Sequence, residues 1–429
     1  MADLLALSAR IIDTGQADEP VNRVTQELSE IADDIAVVES FSHVVLLRTG
    51  DGLVAFDSSG AATGAACVEA MRGWTDERVA RVVYTHGHVD HVGGSGAFVA
   101  DAERRGDPRP VFVAHENVPA RFERYERTNG WNLAINQRQF GWLAGRGGLG
   151  IGGDRRFLPQ DVARPDTTFR AALEIDSADT RIELHHARGE TDDHAWAWIP
   201  AHRAICSGDF VIWNFPNAGN PQKVQRYPEE WARALRAMAE LEPELLLPAH
   251  GLPIAGQARI AMVLDEIATA LETLVAAVLE RMNAGARLDE IVHEVVVPDS
   301  VLARPFLRPL YDEPEFVAHN VWRRYGGWWD GDPATLKPAP AARLAHELAG
   351  LAGGPLALAR RGQELADAGD LRLACHLVEL AGLAAPEDHE VHAVRGAVYE
   401  RRRHAEHSLM AKGIYASAVR ESEAVTGSR

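Results

Sequence analysis

The 429-residue sequence predicts an α/β domain followed by an all-α domain. Three observations predict it. Up to about residue 257, short apolar or β-branched runs alternate with polar turns and stretches of helical spacing, as in HVVLLRT (43–49), GLVAFDS (52–58) and AATGAACVEAMRGW (61–74). Beyond that point the character changes to long Ala-, Leu- and Glu-rich runs such as IAMVLDEIATALETLVAAVLERM (260–282), ended by Asn283-Ala284-Gly285. Several apolar runs of the first part also stop abruptly at ligand-type residues, most densely in VVYTHGHVDHVGG (82–94). The expected division is 1–257, 258–420 and a tail at 421–429.

Taken in order, a polar lead precedes IAVVES, which starts at residue 31 and is broken by Asp33-Asp34, then HVVLLRT and GLVAFDS around Gly50-Asp51, the dipeptide of a tight hairpin turn. Asp57 to Gly60 end that strand, and a helix follows before the strand that feeds the His-rich loop. There, side chains alternate with period 2, so His86 and His88 point the same way from extended chain and can share one ion. Asp90 and His91 lie beyond, where a turn aims them at a second ion, and Gly93-Gly94 lead into the next helix. Three imidazoles and a carboxylate suit zinc. VFVAHE (111–116) reads as a strand, and the aromatic, glycine-ended stretch 117–160 as a cap over the site, with Arg138, Asn132 and Tyr125 as possible substrate contacts. RIELHHARGETDDHAWAWIP (181–200) is strand, polar turn at Gly189, strand; AICSGDFVI (204–212) and LLLPAHG (245–251) are strands that run into Asp209 and His250.

HGHVDH followed by two glycines is the signature loop of the metallo-β-lactamase superfamily, which the chain resembles. The resemblance implies an αββα sandwich and a binuclear hydrolytic site. It makes Glu190, after Gly189, the residue completing the first ion's shell, with His194 as its competitor, and Asp209 a bridging carboxylate. The implied set is His86, His88 and Glu190 on one Zn2+, Asp90, His91 and His250 on the other, and Asp209 between the two ions of each subunit. HNVWRRYGGWWDGDPATLKP (319–338) and the helical tail, with turns at Ala368-Gly369-Asp370 and at 385–388 between two or three helices, resemble the dimerisation domain of bacterial alkyl sulfatases. That family uses a glutamate where Glu190 stands, carries Glu rather than Asp at the bridging position, and adds a lipid-carrier-like domain that these residues do not show.

The implied activity is hydrolysis of a small, anionic sulfate ester by a hydroxide shared between two ions ~3.5–4 Å apart, with Asp90 and Asp209 as catalytic carboxylates and Arg138, Arg226 and His319 as substrate-binding candidates beside Lys223. A lactonase, thioesterase or amidase on the same ions is the alternative. A diiron oxidoreductase is disfavoured because such relatives carry Glu where His88 stands, and a relic scaffold because all seven ligand types are present. The net charge of −18 argues against nucleic-acid or anionic-membrane partners. Hydrophobic (46%) and charged (25%) contents are those of a globular protein, no apolar run is long enough to span a membrane, and the N-terminus lacks a basic n-region. Three distant cysteines, Cys67, Cys206 and Cys375, fit a reducing compartment, so a cytoplasmic homodimer is expected.

Overall fold

The computed structural model describes residues 3–141, 155–178 and 180–427. They form two compact units: residues 1–133, 147–286 and 290–327, and residues 134–146, 287–289 and 328–429.

The first unit contains two sheets. Seven strands lie in sequence order in one: β1 (Leu28–Ala32), β2 (Ile35–Val38), β3 (Val44–Thr49), β4 (Gly52–Phe56), β5 (Val79–Val83), β6 (Val111–His115) and β7 (Thr167–Phe169). The other holds β8 (Ala172–Ser177), β9 (Thr180–His186), β10 (Ala195–Ile199), β11 (Ala204–Gly208), β12 (Leu245–Pro248) and β13 (Ile254–Ala255), also in order. Hairpins make β1 to β4 antiparallel, whereas β4, β5, β6 and β7 are parallel, as are β11 and β12. The dipeptides read as turns do that work. Asp33-Asp34 joins β1 to β2, and Gly50-Asp51 closes β3 on β4 with Thr49 opposite Gly52.

The inner strands β2 to β6 and β10 to β12 are apolar on both faces because both are covered. Ile35, Val37, Val45, Leu47, Val54 and Phe56 meet Ile182, Leu184, Ala195, Ala197, Ile199 and Cys206 between the sheets. Their alternates Ala36, Val38, Val44, Leu46, Leu53 and Ala55 point outward under the helices α2 (Gly64–Trp74), α4 (Ser95–Arg105) and α5 (Asn117–Arg127), while a single turn, α3 (Val89–Val92), interrupts the His-rich loop. On the far side Trp196, Trp198, Ile205 and Leu246 pack with α1 (Leu4–Thr14), α7 (Pro228–Glu240) and α8 (Gln257–Asn283). The layers are therefore αββα. The helices α9 (Leu288–Glu294), α10 (Asp299–Leu302) and α11 (Pro314–Gly326) follow, and α8 and α11 share the first unit's core.

Two expectations are corrected here. The polar lead contains α1: Asp3 caps it by accepting from the Ala6 N–H, and Leu4, Leu7, Ile11 and Ile12 form its buried stripe. The stretch from 117 opens not as a cap but as core-packed α5, which buries Val118, Phe122 and Tyr125. α6 (Asn129–Phe140) continues it; the glycine-rich remainder at 142–154 lies outside the described residues.

The second unit is helical: α12 (Pro333–Leu336), α13 (Ala341–Leu351), α14 (Pro355–Asp367), α15 (Leu371–Ala384), α16 (His389–Ala405) and α17 (Leu409–Thr426). The turns at Gly369 and Pro386 fall where they were read, but the described residues after 354 form four helices rather than two or three. The extra break at 406–408 has no Gly or Pro to announce it; its signal is Ser408, whose hydroxyl accepts from the Ala411 N–H as an N-cap.

Candidate metal centre

β5 carries the chain to Val83, the backbone bends at Thr85 and His86, and His88, the residue before α3, is extended (φ −72°, ψ 146°). The single turn swings Asp90 and His91 off the line of His86 and His88. Gly94 is required by packing, since a Cβ there would lie 2.1 Å from the Ser58 carbonyl oxygen. Glu190 stands in the turn between β9 and β10, Asp209 follows β11 and His250 follows β12, so every segment leaves its strand at one edge of the sandwich. Before Asp209, Gly208 adopts φ +52°, and a Cβ would meet Thr85 Cβ at 2.8 Å.

The seven predicted side chains converge. His86 Nε2 is 2.9 Å from His88 Nδ1, and His88 Nδ1 is 3.4 Å from Glu190 Oε1. His250 Nε2 is 3.5 Å from Asp90 Oδ2, and His91 Nε2 is 3.7 Å from the same oxygen. Asp209 faces both sets: Oδ1 is 3.4 Å from His91 Nε2 and 3.5 Å from His250 Nε2, and Oδ2 is 3.9 Å from His86 Nε2. Among the described residues, three groups could each hold a metal ion: His86, His88 and Glu190; His86, His91 and Asp209; Asp90, His91 and His250.

The arrangement fits cations. His91 Nε2, Glu190 Oε2 and Asp209 Oδ1 are buried without a hydrogen bond among the described residues, a costly state unless another group satisfies them. Burial pushes the Glu190 carboxyl up to about 8 against the Arg226 guanidinium, and the neighbouring Asp209 adds to the rise. Burial acts on Asp209 too, but His91 and His250 outweigh it and hold that carboxyl well below its ordinary value. His86 is driven well below the usual imidazole value by burial, then by His91 and His88. His88, Asp90 and His250 are partly exposed while His86 and His91 are not, which makes the first three the open side. There Phe41 stands edge-on to His250, with ring centroids 5.5 Å apart.

A supporting layer orients these groups. Asp57 accepts from the Thr85 N–H (2.7 Å) and hydroxyl (2.8 Å), and its Oδ2 lies 2.8 Å from His91 Nδ1, which leaves His91 Nε2 to face Asp209. Asn217 Nδ2 donates to Glu190 Oε1 at 2.5 Å. Neither residue was singled out from sequence: Asp57 read only as the end of a strand, and Asn217 has no motif around it.

The other candidates are placed differently. His194, the competitor of Glu190, stacks on Phe210 with centroids 4.1 Å apart, and its Nε2 accepts from the Asp209 N–H at 3.2 Å; it belongs to none of the three groups. Arg226 is buried, 2.5 Å from Glu190 Oε1, and also donates to the carbonyls of Glu190 and Asn217. Lys223 is half-buried, with its ammonium lowered to about 7 by burial and then by Arg226. His319 is exposed on α11, and Arg138 is exposed in the second unit. Tyr125 packs on Phe157 in the core, and Asn132 donates back to Thr128, the turn residue just before its helix.

Comparison with known proteins decides the family. The profile of the metallo-beta-lactamase superfamily matches residues 37–250, and that of the alkyl sulfatase dimerisation family matches residues 287–424. The chain joins a metallo-beta-lactamase superfamily domain to an alkyl sulfatase dimerisation domain. Among curated relatives of this two-domain chain, a linear primary-alkylsulfatase of Pseudomonas sp. is 25% identical over 362 residues, 80% of this chain and 66% of that protein. An alkyl/aryl-sulfatase of Saccharomyces cerevisiae is 24% identical over 332 residues, 73% of this chain and 50% of the other. The chain thus spans between half and two-thirds of the length of these relatives. The stereoselective inverting sec-alkylsulfatase Pisa1 from Pseudomonas sp. shares the fold, with a TM-score of 0.81 at 21% identity over 92% of this chain and 66% of that one.

Proposed function

We propose that this protein is a hydrolase of the alkylsulfatase type that cleaves a small, anionic sulfate ester at a centre of two zinc ions. His86, His88 and Glu190 would hold one ion and Asp90, His91 and His250 the other, with Asp209 between them. The observation that carries this reading is the single Asp209 carboxylate with one oxygen toward His91 and His250 and the other toward His86. Four imidazoles and three carboxylates are a donor set suited to zinc. The relatives named as alkylsulfatases, aligned along most of this chain, point to the sulfate ester.

Bound ions would supply Lewis acidity toward a substrate oxygen and bring the pKa of a coordinated water toward neutrality. The chain's own residues set the rest. Asp57 holds the tautomer of His91, and Arg226 and Asn217 hold Glu190. Asp90, on the open side, would take a proton from the attacking water. Arg226 is already engaged with Glu190, which leaves the half-buried Lys223 as the candidate to meet the sulfate group. This reading draws on neither His319 nor Arg138. Within the stretch 258–420 proposed for homodimer assembly, α13 offers a contact face. A reducing, cytoplasmic setting fits the three free cysteines.

A turnover screen tests the reading. The zinc-loaded protein is offered short and long alkyl sulfates, an aryl sulfate, a lactone, a thioester and a β-lactam, each with and without chelator. Chelator-sensitive release of sulfate is expected. Turnover of the lactone or thioester alone would keep the centre and reassign the bond, and chelator-insensitive sulfate release would overturn the metal assignment.

A further inference from the structure

Gly87 lies between His86 and His88, and its backbone is gripped by groups from two other elements. Its N–H donates to Asp193 Oδ2 at 3.2 Å. The same oxygen accepts from Arg121 Nε at 2.6 Å, and Arg121 Nη2 also donates to Asp192. Arg121 and Asp193 are both buried, on α5 and in the turn that bears Glu190. A second link from α5 runs to this turn, where Asn117 Nδ2 donates to the Asp192 carbonyl at 3.1 Å. The fit is close: a Cβ on Gly87 would stand 2.7 Å from Arg121 Cδ and 2.9 Å from Asp193 Oδ2.

A buried ion pair costs desolvation of both charges, so good geometry and additional hydrogen bonds are what make such a pair tolerable. Here the additional bond goes to the one residue between two candidate ligands. We propose that Asp193 and Arg121 are positioning residues for the group formed by His86, His88 and Glu190. The Asp193 carboxylate ties the loop of His86 and His88 to the turn of Glu190, and Arg121 locks that carboxylate in place from α5. Neither residue belongs to any of the three candidate metal groups; together they set the spacing of three donors that come from two separate segments. The inference rests on the metal reading above and assigns roles which that reading leaves open.

The test is metal affinity, measured by titration of the purified protein against a competing chelator, together with the visible absorption of the cobalt-substituted protein. Asp193→Ala removes the acceptor of the Gly87 N–H and should weaken one of the two ions by about 10–100-fold while the other keeps its affinity, with a changed cobalt spectrum. Asp193→Asn keeps an oxygen that can accept from the Gly87 N–H but loses the charge opposite Arg121, so it should lose clearly less affinity than Asp193→Ala without returning to the wild-type value. A folded Asp193→Ala protein that holds both ions with wild-type affinity would overturn the proposal, as would equal losses in the Ala and Asn variants. If Asp193→Ala does not fold, Gly87→Ala decides: it leaves the ion pair's chemistry intact, pushes the loop off it, and should give the same selective loss; unchanged affinity would count against the proposal. Wild-type protein that binds no ion would sink the metal reading itself, whereas two ions bound equally well by all variants would sink only the positioning role.

Discussion

His43 shows how single residues near the centre are held neutral. Its Nδ1 lies 3.1 Å from the Ser40 amide nitrogen and its Nε2 lies 2.8 Å from the Gly251 carbonyl oxygen, so the neutral ring has one acceptor and one donor, both used. Burial, then the neighbouring His250, pushes its pKa from 6.5 down to about 4. The folded state therefore resists a proton that the unfolded chain accepts. The stability contributed is complete above the unfolded value, declines as the pH falls from 6.5 and is lost by about pH 4. Over that window the contribution is roughly 3 kcal/mol. Urea unfolding of the wild-type protein and His43→Gln from pH 7 to pH 4 measures it: the gap between the two should close with acid, and parallel curves would refute the assignment.

At the scale of elements, burial pattern separates the strands that carry the candidate ligands from helix α13. The strands β5, β11 and β12 that lead to the ligands are buried on both faces, and the ligand segments leave their ends with little freedom. α13 differs. It buries Ala345 and Ala349, while Leu344, Leu348 and Leu351, at the i, i+4, i+7 spacing of one face, are 53%, 37% and 87% exposed. An apolar stripe of that kind within the segment matched by the dimerisation profile is the contact proposed between two copies. Leu348→Glu would bury an unpaired charge there and should raise the dimer dissociation constant by at least about 100-fold. Sedimentation at micromolar concentration checks this; an unshifted dimer would move the interface elsewhere.

At the scale of the molecule, the seven candidate ligands come from four separated segments across both sheets: 86–91, 190, 209 and 250. Ions binding there tie the two layers together and stabilise only the folded state. By mass action, free ion a thousandfold above its dissociation constant is worth about 4 kcal/mol. Chelator should thus lower the melting temperature by roughly 5 °C. Zinc should restore it and magnesium should not, because magnesium prefers oxygen ligands in octahedral geometry. An unchanged melting curve after complete ion removal would contradict the coupling.

What the sequence determined by itself was whatever is encoded within a few consecutive residues. Apolar runs on both sides of Gly50-Asp51 announced a hairpin, and a strand running into HGHVDH announced a ligand loop, because period and turn chemistry are local. Its limits were equally local: α1 was legible in the spacing of Leu4, Leu7 and Ile11 but passed as a polar lead, and the break before Ser408 carried only a cap. Beyond the seven ligands that the resemblance already grouped, the tertiary structure alone decided which distant residues meet. Glu190 and not His194 faces His88, since the turn aims one side chain into the site and stacks the other on Phe210. Arg226, expected at the substrate, is turned onto Glu190, and Asp57, Asn217, Arg121 and Asp193 gain their roles only through contacts with residues far along the chain. A hydrogen bond across 106 residues, as between Gly87 and Asp193, has no periodicity to betray it.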